Sequence, residues 1–187
     1  CSFLDGYTLI SNSDAHSPEK LGREANLFDC DLSYTGITEA MKNRESGQFE
    51  GTLEFFPQEG KYHYDGHRKC NVCLNPLESS LRDNLCPKCG KKITVGVLNR
   101  VAQLADREYK KRRDDRPSYH SLIPLKEILS ELMHVGPASK QIDKAYFDLL
   151  QRAGSELNIL YGMPVSDLKE IGNDLLVKGI RRMRSGR

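Results

Sequence analysis

Two cysteine pairs of identical internal spacing, Cys70–Asn71–Val72–Cys73 and Cys86–Pro87–Lys88–Cys89, are separated by twelve residues. No other feature of the chain limits its folding so strongly. Two such knuckles can turn four soft thiolates inward as a tetrahedron, the geometry of a closed structural zinc site. Four protein ligands leave no open position for water, so the metal expected here is structural. Two disulfides are the competing arrangement. The duplicated spacing favours metal, as does Gly90, which follows the second pair where a tight knuckle calls for positive φ. The intervening Leu74 to Leu85 is too short and polar to hold a core. Metal binding should therefore supply much of its folding free energy, on the order of 10 kcal/mol.

The remaining composition is that of a soluble globular chain, with 38% hydrophobic and 29% charged residues. Its 187 residues suit one or two domains. No apolar run approaches a membrane span, so no membrane partner is expected. Cys1 to Ile10 lacks the basic and apolar regions of a signal peptide. Four of six cysteines fit a metal site and Cys1 and Cys30 are left over, which favours a reducing, cytoplasmic setting. The first residue is Cys1, not Met, as expected of a processed form or a piece of a longer protein. Charge is uneven. Residues 1–99 hold 11 Lys and Arg against 14 Asp and Glu, and residues 100–187 hold 17 against 12. The second half thus permits a polyanionic partner without requiring one.

Tyr7 to Ile10 reads as a short buried strand entering a polar loop, and Ser17-Pro18 as a helix start. Asp14 and His16 then sit at the C-terminal end of a strand, the edge where α/β folds carry chemistry. A carboxylate and an imidazole two residues apart can reach one metal ion or two neighbouring ones. Alone, such a pair is more often a cap beside a surface histidine. Arg23 and Glu24 fit either an active-site edge or surface ion pairs. Thr35 to Arg44 reads as a helix with Ile37, Ala40 and Met41 on one face, and Phe49 to Phe56 as a strand.

Gly60 to Arg68 is richer in polar and aromatic side chains than a plain linker. Three readings stand. Tyr62, Tyr64, His67 and Arg68, with His63 between them, can stack on an unpaired base or hold a phosphate. His63 and His67 can serve as additional metal ligands. The segment can also be a packed aromatic loop. Val95 to Tyr109 reads as a helix with Val97, Val101, Leu104 and Ala105 on one face, running into the basic cluster Arg107 to Arg116. From Pro124 onward the pattern is helical. His134-Val135-Gly136-Pro137-Ala138-Ser139-Lys140 looks like a helix-hairpin-helix turn, in which Gly136, Ser139 and Lys140 would meet a DNA phosphate. It departs from that motif in having His134 where the first glycine is usual. An ordinary helical hairpin is the alternative. Val165 to Met183 repeats the theme more loosely, and Arg181, Arg182, Arg184 and Arg187 close the chain.

Ser11-Asn12-Ser13-Asp14-Ala15-His16-Ser17-Pro18 and Leu21-Gly22-Arg23-Glu24-Ala25-Asn26 resemble the closing metal motif of the PHP phosphoesterase superfamily. With Glu54-Phe55-Phe56-Pro57, the Gly60–Cys70 segment, the four cysteines, Leu122-Ile123-Pro124-Leu125 and Val135-Gly136-Pro137, the chain resembles the endonuclease Q family over nearly its whole length. The resemblance implies an α/β plus zinc ribbon plus all-α architecture. Residues 1–66 would form the C-terminal part of a PHP (βα) barrel, 67–95 the zinc module and 96–187 a helical domain. It implies a DNA-repair endonuclease that cuts the phosphodiester 5′ of deaminated bases or abasic sites by metal-assisted hydrolysis. Asp14 and His16 would be the last pair of ligands to a cluster of zinc, manganese or magnesium. The partners implied are damaged DNA and the missing N-terminal barrel segment of the same protein, because the family's early His-x-His motif is absent here. A PHP enzyme acting on a small phosphoester, a non-enzymatic nucleic-acid-binding module and a purely structural or scaffolding fragment are the rival functions.

Overall fold

The computed structural model describes residues 1–107 and 117–186. The chain folds into two compact units that do not follow the order of the sequence. One gathers Cys1–Thr8 with Phe56–Asp114, and the other gathers Leu9–Phe55 with Asp115–Arg187. The boundaries expected at 66/67 and 95/96 are thus drawn differently. The reason is strand pairing, as the second unit shows.

That second unit carries a three-stranded sheet. Strand β1 (Ala25–Phe28) pairs antiparallel with β2 (Phe49–Glu54), which pairs in parallel with β5 (Ser118–Ser121). A parallel partner needs a long crossover, and here the crossover contains most of the first unit. Leu53 pairs with His120 and Gly51 with Ser118. Gly51 has φ of 149°, and a Cβ there would lie 1.8 Å from the Ser118 carbonyl oxygen, so this register requires glycine. The sheet does not close on itself among the described residues. Helix α1 (Tyr34–Lys42) follows β1, capped by the Ser33 hydroxyl and burying Ala40, in line with its periodicity.

Tyr7 to Ile10 forms no strand, contrary to its apolar pattern, and Tyr7, Leu9 and Ile10 are exposed. A strand needs a neighbour to pair with, and no ladder reaches these residues. Asn26 supplies a side-chain substitute further on: its Oδ1 accepts from Ser11 N at 2.9 Å and its Nδ2 donates to Ser11 O at 2.6 Å.

Beyond β5, the unit is helical. Helices α4 (Leu125–Met133), α5 (Lys140–Ala153), α6 (Val165–Ile171) and α7 (Asp174–Arg184) form two hairpins joined by a π-helical turn at Asn158–Gly162. Leu125, Ile128, Ile142, Leu149, Ile159, Leu168, Val177 and Ile180 make the core. Arg184 is part of it: its guanidinium donates to the carbonyls of Leu160, Met163 and Ile159 at 2.8, 2.7 and 2.9 Å, satisfying the exit of the π turn. Arg187 lies outside the described residues.

The first unit is built on the hairpin of β3 (Asp65–His67) and β4 (Val72–Leu74), followed by α2 (Pro76–Ser80) and α3 (Val97–Leu104). Asn75 and Glu78 close a capping box on α2. The unit's centre is polar. Asp65, 1% exposed, accepts from Ser79 Oγ, from Gly96 N at 2.5 Å and from Asn99 Nδ2 at 2.7 Å. Burial opposes its ionisation, but these donors hold its carboxyl below the usual range. This bonding also turns α3. Asn99 faces inward and Val97, Val101 and Leu104 face solvent, the reverse of the face the apolar pattern suggests. The helix ends at Leu104, and Ser2 N and Oγ donate to Asp106, while Arg107 pairs with Asp5. The rest of the basic cluster lies outside the described residues. No described helix is long and apolar enough to cross a membrane.

Candidate metal centre and nucleic-acid interface

The second cysteine pair folds as its sequence suggests. Gly90 takes φ of 68°, its N–H reaches Cys86 O at 2.8 Å, and Cys86 N donates to Lys91 O. Bridges between Leu85 and Lys92 and between Gly66 and Thr94 lay this knuckle against the β3–β4 hairpin.

The first knuckle is shifted by one ligand. His67-Arg68-Lys69-Cys70 makes the tight turn, and Asn71 after it is left-handed at φ 49°, ψ 52°. His67–Cys70 and Cys86–Cys89 share one spacing, and each pair is followed by a left-handed residue, Asn71 and Gly90. The ligand atoms of His67, Cys70, Cys86 and Cys89 all lie within 4.8 Å of one another. Cys73 is not among them. It sits within β4, opposite Gly66, and strand alternation puts it on the face away from His67. In place of the four cysteines expected, the structure gathers three cysteines and one histidine, and His67, read from the sequence as a nucleic-acid contact or an additional metal ligand, stands in this group. Asparagine tolerates the left-handed region, so His-x-x-Cys-Asn was the signal in the sequence.

Three thiolates and an imidazole fit tetrahedral zinc. Burial works against the Cys86 thiolate, but the N–H groups of Lys88 and Cys89 and the His67 ring lower its pKa to about 6. Hydrogen bonding with Cys89, followed by burial, pushes Cys70 up to about 11. Binding of a metal to such a set releases the protons that its thiols still hold. Asp65, two residues before His67, fixes the strand that carries the imidazole.

Tyr62 and Arg68 line a cavity of about 430 Å³ with Lys61, Tyr64 and Cys73. His63 does not line it. Its ring meets Tyr64 edge-on at 4.5 Å, and its carbonyl accepts from Leu98 N.

In the other unit, Asp14 and His16 are neighbours but open to solvent, with side chains 99% and 84% exposed. His16 Nδ1 lies 2.8 Å from Asp14 O and 3.9 Å from Asp14 Oδ1. No third His, Cys, Asp or Glu joins them as a candidate ligand group among the described residues. The segment after them is firmly held. Arg23 donates from both terminal nitrogens to Glu156, at 2.6 and 3.0 Å, and Glu156 also accepts from Leu125 N and Tyr146 Oη. Burial opposes the Glu156 charge, but Arg23 and the Leu125 N–H outweigh it and hold the carboxyl below its ordinary range. Arg23 thus belongs to a structural tie. Glu24 is pushed up by burial and by the charge of Glu54, whose Oε2 accepts from Ser11 Oγ.

The hairpin turn between α4 and α5 exposes Gly136 and Lys140, and the Ser139 hydroxyl caps α5 by accepting from Ile142 N. His134 occupies the left-handed region at φ 55°, the conformation for which glycine is usual in this turn. The second hairpin repeats the device, with Asn173 capping α7.

A ribbon-type metal unit is thus inserted in sequence between two strands of a sheet and followed by two capped helical hairpins. Residues 124–187 match the family described as the MJ0043 C-terminal domain. The uncharacterized protein MJ0043 of Methanocaldococcus jannaschii is 31% identical over 171 residues, 87% of this chain and 21% of that protein. The uncharacterized protein YqxK of Bacillus subtilis is 31% identical over 188 residues, all of this chain and 44% of that one. The crystal structure of the lesion-specific endonuclease PfuEndoQ from Pyrococcus furiosus superposes with a TM-score of 0.87 at 29% identity, over 99% of this chain and 46% of that one. Endonuclease Q in complex with a 27-mer duplex substrate with an abasic lesion at the active site gives 0.77 at 31% identity, over 95% and 45%. The chain is thus similar over nearly its whole length to part of endonuclease Q. It spans less than half the length of each of these relatives.

Proposed function

We propose that this chain is part of a metal-dependent DNA-repair endonuclease, holding damaged duplex and contributing the last pair of ligands to the cutting site. The observation that carries the reading is the fold match over 99% of the chain to a lesion-specific endonuclease. Asp14 and His16 are exposed and adjacent, free to join ligands from a PHP barrel segment outside this chain. The greater length of the relatives leaves room for that segment. Divalent metals would polarise the phosphoryl oxygens and activate a water. The residues of this chain orient and bind. The Arg23–Glu156 tie steadies the segment that follows the ligand pair. Gly136 and Lys140 present the exposed turn and a cation to phosphate, and Ser139, whose N–H donates to Gly136 O, caps the helix beside them. Tyr62 and Arg68, with His63 behind Tyr64, form a second contact beside the metal centre of three cysteines and His67.

The test is a nicking assay on duplexes carrying one deoxyuridine, deoxyinosine or abasic site, with manganese or magnesium. The chain is run alone and mixed with the barrel N-terminal half of a related protein. A cut 5′ of the lesion, lost in Asp14→Ala while duplex binding persists, is expected of the mixture. Wild-type rates in Asp14→Ala would sink the assignment. The isolated position of Asp14 and His16 also favours a second reading of this chain by itself, a DNA-binding module without turnover. Duplex binding with no cut in either sample would select it.

A further inference from the structure

The segment that carries Asp14 and His16 leaves the sheet from one fixed point. Ser11 is 8% exposed, while Leu9, Ile10, Asn12, Asp14 and His16 are all open to solvent. Both β1 and β2 hold it. Asn26 of β1 bonds both backbone groups of Ser11, accepting from its N–H at 2.9 Å and donating to its carbonyl at 2.6 Å. Glu54 of β2 accepts from the Ser11 hydroxyl at 3.0 Å. Asn26 pairs with Thr52, and Glu54 lies two residues beyond Thr52 on the same strand, so both side chains stand on one face of the sheet. The amide of asparagine carries the donor and the acceptor of a peptide group. Asn26 therefore does for Ser11 what a neighbouring strand would do.

At its far end the segment is staked by Arg23, which bonds Glu156 and donates from Nε to Glu19 O at 3.1 Å. Between the two stakes the ties are local. Ser13 Oγ donates to Lys20 O at 3.3 Å, and the His16 ring meets Asp14 O. Asp14 lies three residues beyond Ser11, a reach of about 10 Å at full extension. A change at the anchor is carried along that reach to the ligand atoms, and a site needs its groups held within about 0.5 Å. A carboxylate and an imidazole suit a divalent cation, provided that their direction is set beforehand.

We propose that Asn26 and Glu54 are positioning residues of the cutting site: through Ser11 they fix where the segment bearing Asp14 and His16 leaves the sheet, and so aim both groups at the divalent cation. The proposal rests on the reading of Asp14 and His16 as metal ligands and adds the residues that orient them.

The experiment uses the full chain mixed with the barrel N-terminal half of a related protein. Manganese binding is read directly, without DNA, from the electron paramagnetic resonance signal of free Mn²⁺. The manganese dependence of nicking is read beside it. Asn26→Ala and Glu54→Ala should each raise the manganese dissociation constant about tenfold. The manganese needed for half-maximal nicking should rise by a similar factor, with the rate at saturating manganese within about threefold of wild type. Glu54→Gln keeps an acceptor for the Ser11 hydroxyl and should restore most of what Glu54→Ala loses. Asn26→Asp sets a carboxylate oxygen against the Ser11 carbonyl and should behave as Asn26→Ala. If Asn26→Ala does not fold, Ser11→Ala, which removes only the bond to Glu54, reads the same role. Unchanged manganese binding in Glu54→Ala and Ser11→Ala, with binding weakened in Asp14→Ala, overturns the positioning role and leaves the ligand reading intact. A loss of nicking that is equal at every manganese concentration marks a structural role alone and overturns the proposal too. Wild-type manganese binding and nicking in Asp14→Ala, or no manganese binding by the wild-type mixture, overturns the ligand reading and the proposal with it.

Discussion

His67 Nδ1 lies 3.3 Å from Cys89 Sγ, so an imidazole stands where a fourth thiolate was expected. This one distance changes which residues hold the metal. His67→Ala, Cys70→Ser, Cys86→Ser and Cys89→Ser should each weaken zinc binding by about tenfold or more, whereas Cys73→Ser should retain one zinc per chain. Metal analysis of the purified variants, with chelator competition for affinity, checks this. Loss of zinc in Cys73→Ser, with retention in His67→Ala, would restore the all-cysteine assignment.

Asp65 anchors the same strand from the other side. Its carboxylate satisfies three donors from two other segments of the unit. Asp65→Ala strands those donors in a buried site and should cost about 3 kcal/mol. The expected result is easier chelator-induced unfolding of this unit, followed by limited proteolysis between residues 56 and 107. Unchanged protease resistance at equal zinc loading would count against the role.

In the other unit, Glu156 joins Arg23 to the N-terminus of α4. Glu156→Gln leaves Arg23 half-buried without its partner and should destabilise the unit by about 3 kcal/mol. The wild-type tie also predicts a pH dependence. Glu156 is held below its ordinary carboxylate range, so its contribution is present above about pH 4.5 and is lost as pH falls through the lowered folded value. Denaturant midpoints should fall on acidification below about pH 5, and less steeply in Glu156→Gln. Parallel acid profiles for the two proteins would exclude this group as the source.

Lys140 begins α5 beside the Gly136 turn and is exposed. If it meets a backbone phosphate, Lys140→Ala should weaken duplex binding to a similar extent on any sequence and reduce the salt slope by about 1. Titrations at several salt concentrations read this directly. An unchanged slope would place the phosphate contact elsewhere.

Much of this was legible in the chain. Local chemistry sufficed wherever the partners are near in sequence: the Cys86–Gly90 knuckle, the Ala40 face of α1, the β2 strand, and the two helical hairpins. Periodicity and turn chemistry act over a few residues, so they survive in the sequence. The tertiary structure decided what depends on distant partners. It left Tyr7–Ile10 without a strand neighbour, turned Asn99 rather than Val101 inward to reach Asp65, and placed most of the first unit inside the crossover from β2 to β5. It also selected His67 over Cys73, two residues equally near Cys70 in the chain. Which one reaches Cys86 and Cys89 depends on where Asn71 turns the backbone and on the hairpin register that follows. A ligand spacing names candidates; only the strand that carries them decides which face the metal.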